Sequence, residues 1–196
     1  MNTANKLTMA RVILIPVFLV LLYLDFQYSN YIAMGIYIIA TLTDVADGIV
    51  ARKHNQVTDF GKFMDPLADK VLTFAAMLWF IEIGLMPAWL VLIVIIREFM
   101  VTGMRLVAVA KDKVIAASLS GKIKTLVTNI CLISMFLLNE WWIVEGGQNL
   151  MQCAAENGFI LVQWLIITCW ALICVTTVVS GVDYFVKNKE IMKLAK

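Results

Sequence analysis

Six apolar runs divide the chain, at about residues 9–24, 31–50, 63–83, 88–110, 126–138 and 159–184. With their flanks counted, each is close to the roughly 20 residues a helix needs to cross the hydrocarbon of a bilayer. The pattern predicts an all-α polytopic membrane protein, six transmembrane helices in one membrane domain over residues 1–196. Residues 1–8 are polar with Lys6 as their only charge, and predict a short N-terminal interfacial helix that runs into the first span. Arg11 and Pro16 interrupt the first run, and turns are expected at 25–30 and 84–87. A polar connection is expected at 52–60, a basic one at 111–124, and a loop at 139–158 that carries the Trp141-Trp142 pair.

Composition agrees with that pattern. The 196 residues are 62% hydrophobic and 15% charged, far too apolar for a soluble domain. The four cysteines, Cys131, Cys153, Cys169 and Cys174, have no metal-ligand spacing, and three lie in apolar runs, so they read as small buried hydrophobes. His54, the single histidine, lies in a polar connection and reads as solvated. The first run has a proline and no small-residue cleavage site, so no cleavable signal is expected.

The net charge of +2 says less than its distribution. With both termini on one side, that side receives Lys6, Arg11, Arg52, Lys53, Lys62, Lys70, Lys111, Lys113, Lys122, Lys124 and four lysines of the tail. The opposite connections receive Asp25, Glu82, Glu140, Glu145 and Glu156, with no Lys or Arg. Cytoplasmic loops carry the basic excess, so both termini are expected in the cytoplasm. No nucleic-acid partner is expected.

Four aspartates stand where the second run ends and the third begins. On a helix, Asp44, Asp47, Gly48 and Ala51 share one face, and Gly61, Asp65 and Asp69 roughly share another. If the two helices are antiparallel neighbours, all four carboxylates enter one gap, which the small Gly48, Ala51 and Gly61 leave roomy. Carboxylates so close must be joined by cations or carry protons. Oxygen-only donors favour a hard ion such as Mg²⁺ or Mn²⁺, and four carboxylates suit two ions. Two-metal sites commonly clamp both oxygens of a phosphoryl transfer. Asp44 precedes Arg52 by eight residues, about 12 Å along a helix rising ~1.5 Å per residue, so the gap is expected as a water-filled recess open to the cytoplasm.

Arg97 stands about halfway along the fourth run, with Arg105 eight residues further on and Lys122 and Lys124 in the basic connection. A charge inside a span faces the bundle interior and has a partner. Guanidinium groups bind phosphate bidentately, so these four residues are candidates for a second anion beside the metal-loaded recess. The other reading of Arg97 is an ion pair with Glu98 or a recess carboxylate, and that of the two lysines is ordinary cytoplasmic charge.

The string Asp44-x2-Asp47-Gly48-x2-Ala51-Arg52-x8-Gly61-x3-Asp65-x3-Asp69 resembles the signature of the CDP-alcohol phosphotransferases at every fixed position. Further pieces are similar to the branch of that family that uses glycerol 3-phosphate: Asn5-Lys-Leu-Thr8-x2-Arg11, Met64-Asp65-Pro66-Leu-Ala-Asp69-Lys70, Arg97-Glu98-Phe99 with Thr102-Gly103-x-Arg105, and Gly121-Lys122-Ile-Lys124-Thr125. One departure is Ala4, where the family pattern has proline.

The resemblance covers the whole chain and implies a six-span enzyme, a homodimer in a bacterial plasma membrane, that displaces CMP from CDP-diacylglycerol by an incoming hydroxyl. It implies Asp44, Asp47, Asp65 and Asp69 as ligands of two divalent ions, Mg²⁺ or Mn²⁺, with Asp69 also the general base. Asn5, Thr8, Asp44, Gly48, Ala51, Arg52, Thr58, Gly61 and Asp65 would contact the CDP-lipid. Arg97 and Arg105, with Lys122 and Lys124, would hold glycerol 3-phosphate. The same chemistry with serine, an inositol phosphate or phosphatidylglycerol as acceptor is the nearest alternative. An ion transporter would distribute carboxylates through the bilayer, and a membrane scaffold gives no reason for four aligned aspartates.

Overall fold

A computed structural model describes residues 3–24, 28–54, 59–109, 118–144 and 160–189, with side chains described over 12–24, 28–43, 70–108, 118–140 and 161–189. Among these residues the chain is all-helical, with six helices and no strand: α1 (Thr3–Tyr23), α2 (Ser29–His54), α3 (Asp59–Glu82), α4 (Ala88–Val109), α5 (Leu119–Val144) and α6 (Ile160–Lys187). Two stretches, Leu119–Glu140 in α5 and Leu161–Lys187 in α6, are long and apolar enough to cross a membrane by length and composition.

Each helix matches one apolar run, but several extend into residues expected as connections. The backbone of α1 is helical from Thr3, so residues 3–8 continue directly into the helix of the first run. α2 carries on to His54 and α3 begins at Asp59, which shortens the polar connection between them. α5 starts at Leu119, several residues before its apolar run. The cause is a cap: Ser118 Oγ accepts the backbone N–H of Gly121 at 3.1 Å, satisfying a donor that the first turn leaves free. Lys122 and Lys124 are therefore helical residues rather than parts of a loop. Likewise Asn139 and Glu140, expected in a loop, belong to α5.

Packing gathers the helices into two compact units. Residues 1–79 and 133–150 form the first, in which α1 packs on α2. Ile15, Phe18 and Leu22 of α1 and Ala33, Tyr37 and Ala40 of α2 are buried at helical spacing, one stripe on each helix. Phe18 and Tyr37 meet at 6.0 Å between ring centroids. Phe136 of α5 lies 6.2 Å from Phe18, edge-on, and 6.1 Å from Tyr37, while Trp79 of α3 stacks on it at 5.5 Å. These four rings join four helices in an apolar centre.

Residues 80–132 and 151–196 form the second unit, in which α4 packs on α6. Gly84 takes φ +75°, a left-handed conformation that suits glycine at the end of α3, and its N–H donates to Ile81 O at 3.0 Å. Pro87 then precedes α4, where a missing N–H costs nothing. Trp170 of α6 donates its Nε1–H to the carbonyl of Leu85 at 3.0 Å and so ties this turn to α6.

Candidate functional site

The signature residues lie on unbroken helices of the first unit. Asp44, Asp47, Gly48, Ala51 and Arg52 are on the last turns of α2, and Gly61, Asp65 and Asp69 are on the first turns of α3. Helical backbone through both segments meets the condition on which their shared faces depend: residues three and four apart in a continuous helix are neighbours on its surface. Asn5 and Thr8 lie on the first turns of α1. The side chains of all these residues fall outside the described ones, and Thr58 falls outside the described residues altogether. Among the described residues there is no group of three His, Cys, Asp or Glu side chains that could hold a metal ion. The donor chemistry of the aspartate set, carboxylate oxygen alone, fits a hard divalent cation.

The basic candidates are described in full, and all belong to the second unit. Arg97 stands on the buried stripe of α4, in line with Leu90, Val94, Val101 and Ala108. A charge on that face needs partners, and Arg97 has them. Its Nη1 donates to Glu98 Oε1 at 2.7 Å and its Nη2 to Ser180 Oγ of α6 at 2.5 Å. Its Nε is buried with no hydrogen-bond partner. Lys124 of α5 also reaches Glu98 Oε1, at 3.0 Å. Arg97 and Lys124 are thus brought together through one carboxylate oxygen.

The other two candidates stand apart from this cluster. Arg105 is exposed on α4, its guanidinium 5.8 Å from the ring centroid of Tyr184, with Nε–H to the tyrosine Oη at 3.4 Å. Lys122 is exposed, whereas Lys124, two residues on and so across the helix, is 4% exposed. The spacing Lys-x-Lys thus sends one lysine inward and one outward.

Sequence reasoning noted Glu98 only as an alternative partner of Arg97, and it missed the end of α6. There Ser180, Asp183 and Tyr184 are spaced so as to face the basic helices. Ser120 Oγ of α5 donates to Asp183 Oδ2 at 2.5 Å, and Lys187 pairs with Asp183 Oδ1 at 2.7 Å. The available signal was a run of polar residues at three- and four-residue spacing, Thr177, Ser180, Tyr184, on the buried stripe that continues from Ile166 and Ile173.

Comparison with known proteins completes the picture. A relative from Bacillus subtilis, named CDP-diacylglycerol–glycerol-3-phosphate 3-phosphatidyltransferase, is 39% identical over 98% of this chain and 97% of its own. One from Mycobacterium tuberculosis, named a probable phosphatidylglycerophosphate synthase, is 34% identical over 93% of this chain and 79% of its own. One from Rickettsia bellii, with the same name as the Bacillus protein, is 30% identical over 96% of both chains. The family model for CDP-alcohol phosphatidyltransferase matches residues 1–175, which contain the whole aspartate signature and the Arg97–Glu98–Lys124 cluster. On that match and the full-length relatives, the chain belongs to the CDP-alcohol phosphatidyltransferase family.

Proposed function

We propose that this chain transfers the phosphatidyl group of CDP-diacylglycerol to sn-glycerol 3-phosphate, giving phosphatidylglycerophosphate and CMP. The observation that carries this reading is the 39% identity to a relative of that name across nearly the whole of both chains. In the setting we infer, all six helices cross a bacterial plasma membrane, the chain is a homodimer, and both termini and the active site face the cytoplasm, as the distribution of lysine and arginine supports.

Asp44, Asp47, Asp65 and Asp69 would hold the divalent ions, two of Mg²⁺ or Mn²⁺, whose chemistry is to neutralise charge on a pyrophosphate. Arg52 offsets the charge of the departing CMP, and Gly48, Ala51 and Gly61 leave space for the nucleotide. Asn5, Thr8 and Thr58 complete the CDP-lipid contacts. Asp69 accepts the proton of the acceptor's terminal hydroxyl as that oxygen attacks the lipid-linked phosphorus. A new P–O bond forms in line with the one to CMP, which breaks. Positioning and electrostatics carry most of such an acceleration, and the base adds about 10²–10⁴-fold.

The acceptor's phosphate falls to Arg97, Arg105, Lys122 and Lys124. Arg97 supports this role through its unpartnered Nε. Arg105, and Lys122 from the exposed side of α5, supply further charge. An acceptor with its own phosphate suits these groups better than free serine.

The test is CMP release by purified protein given CDP-diacylglycerol with each acceptor in turn: glycerol 3-phosphate, an inositol phosphate, serine and phosphatidylglycerol. Turnover with glycerol 3-phosphate, dependent on Mg²⁺ or Mn²⁺, is expected. Turnover only with another acceptor would overturn the substrate, and no CMP release with any would overturn the reaction.

A further inference from the structure

Arg97 is held in a confined place. A Cβ added at Gly121 of α5 would lie 3.4 Å from Arg97 Nη2, and one at Gly181 of α6 would lie 3.4 Å from Arg97 Cγ. The side chain therefore runs close against two helices at positions without side chains. Within that slot both terminal nitrogens are anchored, Nη1 on Glu98 and Nη2 on Ser180, which is fully buried. A guanidinium is planar, so fixing two of its nitrogens fixes the direction of the third N–H. The third is Nε, the one buried nitrogen of Arg97 that has no partner.

We infer that Ser180 is a positioning residue for the acceptor: by holding Arg97 Nη2 it aims the unpartnered Nε–H at the site of the incoming phosphate. This rests on the acceptor role proposed for Arg97. Glu98 adjoins Arg97 in sequence and also binds Lys124, so it serves two cations. Ser180 comes from another helix, 83 positions away, and fixes the side of the guanidinium that Glu98 does not reach. The hydroxyl supplies an acceptor without a charge. It orients the arginine and leaves the positive charge undiminished for an anion, which a carboxylate at the same place would not do.

The experiment measures steady-state kinetics of CMP release, varying glycerol 3-phosphate at saturating CDP-diacylglycerol and the reverse, for Ser180→Ala, Arg97→Lys and the double variant. Melting temperatures are recorded in the same detergent. Ser180→Ala is expected to raise KM for glycerol 3-phosphate about tenfold, as loss of one hydrogen bond to a charged group implies, with KM for CDP-diacylglycerol and the melting temperature near wild type. In the Arg97→Lys background the same change is expected to add less than about twofold, because its effect passes through the arginine. If Arg97→Lys raises the acceptor KM and Ser180→Ala does not, the inference is wrong and the acceptor reading stands. Equal rises in both KM values with a fallen melting temperature, or fully multiplicative effects in the double variant, would likewise overturn it. An acceptor KM unchanged by Arg97→Lys would overturn the acceptor role of Arg97, and the inference with it.

Discussion

Lys124 Nζ lies 3.0 Å from Glu98 Oε1, joining α5 to α4 across 26 positions of sequence. The same oxygen receives Arg97 Nη1 at 2.7 Å, and the three side chains are 5%, 14% and 11% exposed. Removing the charge of Glu98 takes from both largely buried cations the carboxylate they share. Glu98→Gln is therefore expected to destabilise the protein by about 3–5 kcal/mol, the range for breaking a buried pair from one side. Thermal unfolding in detergent checks this. A melting temperature equal to wild type would mean that Glu98 does not balance the two cations.

The assigned base makes a separate prediction. Asp69→Asn keeps the size of the side chain and removes its ability to take a proton. CMP release is expected to fall at least about 10²-fold, with the melting temperature and elution volume unchanged. Near-normal turnover in this variant would remove Asp69 from the base role and weaken the ligand set.

Divalent ions can be tested without mutation. Chelation by EDTA is expected to stop CMP release, and addition of Mg²⁺ or Mn²⁺ to restore it, since the proposed set of four carboxylates would repel a pyrophosphate without cations between them. Asp44→Asn and Asp65→Asn are expected to raise the Mg²⁺ concentration needed for half-maximal rate at least about tenfold. Activity that persists in EDTA after dialysis would argue against metal at these aspartates.

Phe136 supplies a prediction about the fold alone. It is 1% exposed and touches the rings of Phe18, Tyr37 and Trp79. Phe136→Ala opens a cavity in that centre and is expected to cost about 3–5 kcal/mol, while Phe136→Leu costs less because it refills part of the volume. Melting temperatures of the two variants should fall in that order. An unchanged melting temperature for Phe136→Ala would show that the four-ring cluster contributes little.

Much of this protein could be read along the chain because it depends on neighbours in sequence. The six helices follow from six apolar runs, and the aspartate faces follow from spacing once the helix is continuous, as α2 and α3 are through Asp44, Asp47, Asp65 and Asp69. Helix ends were less legible. Hydropathy sees the burial of side chains, but α5 begins where Ser118 caps it, before the apolar residues start.

What no local pattern contained is the pairing between helices. Lys122 and Lys124 are alike in sequence, yet only Lys124 turns toward Glu98, because helix rotation against α4 chooses which face is buried. Arg97 meets Ser180 only when α4 and α6 pack in one register, since a hydrogen bond reaches about 3 Å while the two residues stand 83 positions apart in the chain. Spacing within a helix is a property of the backbone and can be counted. The partner that balances a buried charge is chosen by the packing of distant helices, and only the folded chain decides it.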